Sequence, residues 1–130
     1  MRKLLLLCLL LLTALSGRSE KNETFTVLQW NIWQEGTKVP GGYQAIVDEI
    51  VRLKPDFVTL SEVRNYNDTR FCDRIVQSLA ERGETYYSFF SYDSGLLSRY
   101  PIEDSLTVFP EDYDHGSIYK LESRIHGRPI

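Results

Sequence analysis

Cysteine occurs only at Cys8 and Cys72 in this sequence of 130 residues, and Cys8 falls in a segment with the marks of a cleaved leader. A mature chain with one cysteine forms no intrachain disulfide, which excludes a disulfide-stapled scaffold. Cys72 is then read as a small buried hydrophobe rather than a reactive thiol. Long hydrophobic runs are missing too. The apolar run at residues 4–12 is well short of the roughly 20 residues that span a bilayer, so no transmembrane segment is expected in the mature chain. Positive charge is not in excess: 15 Lys and Arg stand against 18 Asp and Glu, for a formal net charge of −3. Loss of Arg2 and Lys3 with the leader makes the mature chain more negative still. A broad basic footprint for nucleic acid is thereby excluded, though not a local one. No internal repeat or low-complexity tract is present.

What is present is apolar mass. Hydrophobic residues make up 42% of the chain, with 2 Trp, 8 Tyr and 6 Phe, enough for the packed core of one modest globular domain and too much for disorder. The N-terminus opens on Met1-Arg2-Lys3, continues through the apolar run, and places Ala14-Leu15-Ser16 before Gly17. This order of basic start, apolar run and small residues predicts a secretory signal peptide over 1–17 and a secreted or periplasmic product. A membrane anchor and a lipoprotein attached through Cys8 are the alternatives. Residues 18–24 read as a polar, charged linker.

From there the hydrophobic period changes along the chain. Residues 25–31, rich in β-branched and aromatic side chains, predict a strand, and 35–42, broken by Gly36, Pro40, Gly41 and Gly42, a loop. Tyr43, Ile46, Val47 and Ile50 recur at helical spacing, with Leu53 continuing the stripe and Pro55 stopping it. Residues 57–62 predict a second strand, apolar enough to be covered on both faces. Strand, helix and strand joined by short turns make a crossover unit with the two strands parallel. A second helix is expected over 69–82, with Phe71, Cys72, Ile75, Val76 and Leu79 on one face and Gly83 as its stop. Strands over 86–92, 95–98, 105–109 and 118–125 follow.

The crossover puts Asn31 at the end of the first strand and Glu62 at the end of the second. These are carboxyl ends of parallel strands, where open α/β sheets usually bind their ligands. An amide oxygen beside a carboxylate suits Mg²⁺, a hard cation that takes one or two protein carboxylates and completes its octahedron with water and substrate phosphate. The bland alternative has Asn31 capping the next turn and Glu62 as a solvated strand-end charge.

Three segments in order tilt this choice: Val27-Leu-Gln-Trp-Asn-Ile-Trp33, Lys54-Pro-Asp-Phe-Val-Thr-Leu-Ser-Glu-Val63 and Gly95-Leu-Leu-Ser-Arg-Tyr-Pro-Ile102. Together they resemble the first motifs of the endonuclease/exonuclease/phosphatase family, the DNase I-like fold. The resemblance implies an α/β protein, a four-layer α/β sandwich apparently truncated after its first half, with 25–130 as the N-terminal part of the domain. It implies a divalent-metal site to which Asn31 and Glu62 contribute, a Mg²⁺ (or Mn²⁺) cofactor, and hydrolysis of a phosphate ester in a nucleic acid, a phospholipid head group or a small phosphodiester. The third motif is structural, a strand and a turn at 99–101, so Ser98 and Arg99 receive no chemical role.

In the family a histidine late in the domain polarises the attacking water. That histidine and the Asp-x-Asn and Ser-Asp-His segments are expected beyond Ile130, so no catalytic residue is assigned within this chain and the fragment is expected to be inactive alone. His115 and His126 are read as a polar loop residue and a structural or exposed one, and Glu111-Asp-Tyr-Asp114 as a solvated acidic loop rather than a Ca²⁺ site. Asn22-Glu-Thr24 and Asn67-Asp-Thr69 fit the N-glycosylation pattern, and the second also fits a helix N-terminus. The aromatic residues of 86–92 are read as core and cross-strand partners rather than a stacking platform for bases. A monomer is expected. The rival reading is a non-catalytic secreted binding module that retains half of the fold.

Overall fold

The structure, a computed structural model, describes residues 24–90, 93–108, 116–121, 124–125 and 128–129. The segment expected to be a signal peptide, most of the expected linker, Cys8, Asn22, the 111–114 acidic run, His115 and His126 lie outside the described residues. The elements run β1 (Val27–Asn31), α1 (Gly42–Leu53), β2 (Phe57–Val63), α2 (Phe71–Glu81), β3 (Tyr87–Phe90), β4 (Asp93–Ser98), β5 (Ile102–Val108), β6 (Gly116–Leu121), β7 (Arg124–Ile125) and β8 (Arg128–Pro129).

β1 and β2 pair in parallel, from Val27 opposite Phe57 to Asn31 opposite Ser61. β4 adds antiparallel to β2 and β3 to β4, giving the order β1-β2-β4-β3. β5 and β6 form a separate antiparallel pair, and β7 with β8 a third ladder. The expected strand over 118–125 is thus two pieces, β6 ending at Leu121 and β7 holding Arg124 and Ile125.

Alternation along the strands turns Leu28, Trp30, Val58, Leu60 and Leu97 toward the helices, where Ile46, Val47 and Ile50 of α1 and Phe71, Cys72, Ile75 and Leu79 of α2 complete the core. Each fully buried aliphatic side chain there stabilises the fold by about 1.5–3 kcal/mol. Gly95, opposite Leu60, sits under α2: a Cβ there would collide with Cys72 Sγ, which explains the glycine of the third motif by close packing. Burial pushes the Cys72 thiol up to about 12, so it is inert at neutral pH.

One expectation needs correction. Leu53 is 43% exposed because α1 ends there, Lys54 turning the chain in the left-handed region at φ 49°. The helices pack against the face of the sheet that holds Val58 and Leu60. The apolar Phe57 on the other face is met by the rings of Phe25 and Tyr100 at 5.7 and 5.6 Å. No helix of the described residues is long and apolar enough to cross a membrane.

The amino end of the β1–β2 pair is closed by a polar clasp. Asp56 accepts hydrogen bonds from Thr26 N–H and Oγ1, both 2.8 Å, and from Tyr100 OH at 3.3 Å. Burial pushes the Asp56 carboxyl up, but the Thr26 and Tyr100 hydrogen bonds and the Arg99 charge outweigh it and hold it below its ordinary value. Glu84 is paired with Lys54 at 2.6 Å and Arg99 at 2.7 Å, which lower its carboxyl pKa in that order. The Arg99 guanidinium lies 4.7 Å from the centre of the Tyr86 ring, and Tyr86 OH donates to the Pro55 carbonyl at 2.6 Å. Ser98 and Arg99 thus serve the scaffold, Ser98 Oγ bonding the Tyr100 carbonyl at 2.7 Å.

Candidate functional site

At the opposite, carboxyl end the parallel register carries Asn31 and Glu62 together. Asn31 Nδ2 donates to Glu62 Oε1 at 2.8 Å, and Asn31 Oδ1 accepts from the Trp33 N–H at 2.9 Å. The second carboxylate oxygen, Glu62 Oε2, accepts from the Gln34 N–H at 2.9 Å. The pair that sequence placed at two strand ends is therefore in direct contact.

The backbone that achieves this is unusual on both strands. After Ile32, whose side chain is buried, Trp33, Gln34, Glu35 and Gly36 all have positive φ, 42°, 55°, 60° and 73°. They make one left-handed turn closed by the Gly36 N–H on the Ile32 carbonyl at 2.6 Å. L-residues pay about 1–2 kcal/mol each for that conformation. Gly36 is required beyond its φ, since a Cβ there would stand 2.7 Å from the Gly42 carbonyl carbon. On β2 the ladder slips between Ser61 and Val63, and Glu62 itself sits at φ 63°. Strain of this kind persists only where surrounding contacts enforce it, and it collects at functional sites.

Three glutamates show how differently this chain treats a carboxylate. Glu84 has two cations, as described. Glu35, 3% exposed, meets Arg74 Nη2 at 3.0 Å. Glu62 is met by amide N–H donors, and among the described residues no Lys or Arg pairs with it. A partly shielded anion held by neutral donors, with lone pairs to spare, fits a hard cation. No group of three or more His, Cys, Asp or Glu able to hold a metal exists among the described residues. The protein share of such a site is thus one carboxylate and an adjacent amide, which accords with the sparse protein ligation of Mg²⁺.

Glu35 is the residue that sequence reasoning missed. It lay in a segment read as a glycine-broken loop, and no local signal marks it, because its partners Arg64, Asn65 and Arg74 are about 30 to 40 positions further along. The Asn67-Asp-Thr69 segment was the wrong place for the α2 cap. It forms a 3₁₀ turn (Tyr66–Asp68), Thr69 Oγ1 bonds the Tyr66 carbonyl at 2.8 Å, and the helix N–H at Phe71 is taken by Asn65 Oδ1 at 3.1 Å.

A parallel strand pair in an α/β sheet, with an amide and an unneutralised carboxylate in contact at its carboxyl ends, is the arrangement that the fold and the site define. The chain belongs to the endonuclease/exonuclease/phosphatase family, whose model matches residues 28–123 and so spans both site residues. The α/β class and the DNase I-like type expected from the motifs hold. Among solved structures the chain is similar to humanized TDP2 of D. rerio carrying 14 mutations, at 19% identity and a TM-score of 0.46 over 65% of this chain and 37% of that one. The chain thus spans little more than a third of that structure's length. No curated protein matches it.

Proposed function

We propose that the chain carries the metal-holding half-site of a Mg²⁺- or Mn²⁺-dependent phosphoesterase acting on phosphodiesters, with Glu62 as the anionic ligand and Asn31 beside it. The observation that carries this reading is the Glu62 carboxylate, strained at φ 63°, fixed by amide donors and left without a cation partner among the described residues. A divalent cation bound there would supply Lewis acidity toward a phosphate oxygen and the leaving group. The chain's own residues orient. Asn31 directs Oε1 through its amide N–H, and the Gln34 N–H fixes Oε2, so the carboxylate is pre-set before any ligand arrives. Family membership supports hydrolysis of phosphate esters as the reaction class.

The test is Mn²⁺ binding to the protein and to Glu62→Gln. Glu62→Gln keeps the size of the side chain and removes its charge, so affinity should fall on the order of a hundredfold while the fold survives. Unchanged metal affinity in that variant removes Glu62 from the site. Export is part of the proposal, supported by the basic start and apolar run of 1–17. N-terminal sequencing of secreted protein should begin near Gly17 or Arg18, and an intact Met1 on a membrane-bound product contradicts it.

A further inference from the structure

Glu35 is a buried charge in a loop, and both its oxygens are in use. Oε1 accepts the backbone N–H of Arg64 at 2.9 Å and of Asn65 at 2.5 Å, and Oε2 accepts Arg74 Nη2 at 3.0 Å. The Arg74 guanidinium is itself placed 5.5 Å from the Tyr43 ring centre and 5.3 Å from that of Phe71, so α1 and α2 hold the cation that neutralises Glu35. These contacts bridge the two segments that deliver the cradle of Glu62. On one side is the left-handed turn, in which Gln34 lends its N–H to Glu62 Oε2 and Glu35 is the next residue. On the other are Arg64 and Asn65, directly after the bulge that turns Glu62 to φ 63°.

We propose that Glu35, neutralised by Arg74, is the positioning residue of the site: it fixes the Glu62 carboxylate in its strained conformer and thereby sets affinity for a divalent cation. This rests on the reading of Glu62 as a cation ligand. Glu35 touches no substrate. Its carboxylate takes three N–H donors at once, which a neutral glutamine amide with one acceptor oxygen cannot match. Partners that orient a metal ligand typically weigh 10- to 100-fold in metal affinity when removed.

The experiment uses the full chain with Glu35→Gln, Glu35→Asp, Glu62→Gln and Glu84→Gln, the last removing a shielded, cation-paired carboxylate at the far end of the sheet. Three quantities are read: Mn²⁺ affinity from paramagnetic broadening of amide signals, hydrogen exchange of the Gln34 amide without metal, and Tm. Glu35→Gln should weaken Mn²⁺ about 10- to 100-fold and speed Gln34 exchange, Glu35→Asp should do so to a smaller extent, and Glu84→Gln should lower Tm with neither change. A folded Glu35→Gln protein with native Gln34 exchange and native Mn²⁺ affinity overturns the proposal. If Glu35→Gln does not fold, native values in Glu35→Asp overturn it equally. A wild-type chain that binds no Mn²⁺ sinks the metal reading instead, and Gln34 exchange in the Glu35 variants still decides whether Glu35 positions Glu62.

Discussion

At the amino end of the β1–β2 pair, Asp56 and Glu84 are met by hydroxyls, backbone N–H groups and two cations, and both carboxyls are held below their ordinary pKa. At the carboxyl end, about five residues away along the strands, Glu62 stands in a left-handed conformer beside a bulge, with neutral donors only among the described residues. Both ends use carboxylates, yet one end is arranged to lower the energy of the fold and the other holds a charge that the fold does not neutralise. What separates them is the partner left over. A saturated carboxylate has nothing further to bind, whereas an anion kept by strained backbone and amide donors is the group to which the proposed function assigns a cation.

Exchanging the chemistry of the two ends should give opposite phenotypes. Glu62→Gln carries the largest expected effect, about a hundredfold in metal affinity or about 2.7 kcal/mol, with only a small loss of Tm because the one glutamine oxygen still accepts from Asn31 Nδ2 or from the Gln34 N–H and the other donor turns to solvent. Asp56→Ala should do the reverse. It deprives Thr26 and Tyr100 of their acceptor and should cost about 1–3 kcal/mol of stability, discounted for the exposure of two of those bonds, with Mn²⁺ affinity of the folded protein unaltered. Denaturant titration and Mn²⁺ binding on both variants check the pair, and parallel losses in either one would abolish the distinction between the ends.

Acid provides a gentler probe of the clasp. Because the folded-state pKa values of Asp56 and Glu84 are depressed, their stabilisation is fully present above the unfolded values near 4 and is lost as pH falls through the lower folded ones. Stability should therefore decline below about pH 4, and the decline should be shallower in Asp56→Asn than in wild type. Equal slopes for the two proteins in that window would show that Asp56 does not drive it.

The sequence made the scaffold of this comparison legible and left its mechanism hidden. The change from period two to period 3.6 between β1 and α1, and back at Phe57, gave the parallel pair, and with it the neighbourhood of Asn31 and Glu62. Those signals are local and carried by side chains that repeat. The positive φ of Glu62 is not local, since it comes from a bulge opposite β4, and the burial of Glu35 depends on α2 folding back to bring Arg74 over it. Gly36 and Gly41 announce a turn but not its left-handed sense across three non-glycine residues. Leu53 failed as a core residue for a comparable reason: periodicity says which face a helix buries, not where the covering layer stops.

The smallest effect sharpens the comparison most, because it concerns a stabilising device located at the end of the proposed site. Asn65 has φ 52°, its side chain takes the Phe71 N–H at 3.1 Å, and its own N–H goes to Glu35. Asn65→Ala loses the cap and places an alanine in the left-handed region, for a cost of about 1–2 kcal/mol. Asn65→Gly loses the same cap but accepts the conformer, so it should cost only a few tenths of a kcal/mol. In both variants the backbone N–H that Glu35 uses is still present. Mn²⁺ affinity should then stay within about twofold of wild type in Asn65→Gly even as α2 frays slightly at its start. A tenfold loss there, with Tm nearly native, would mean that the side chain of Asn65, and not its backbone, carries the link between Glu35 and the site, and that stabilising and site-forming contacts at this end are one network.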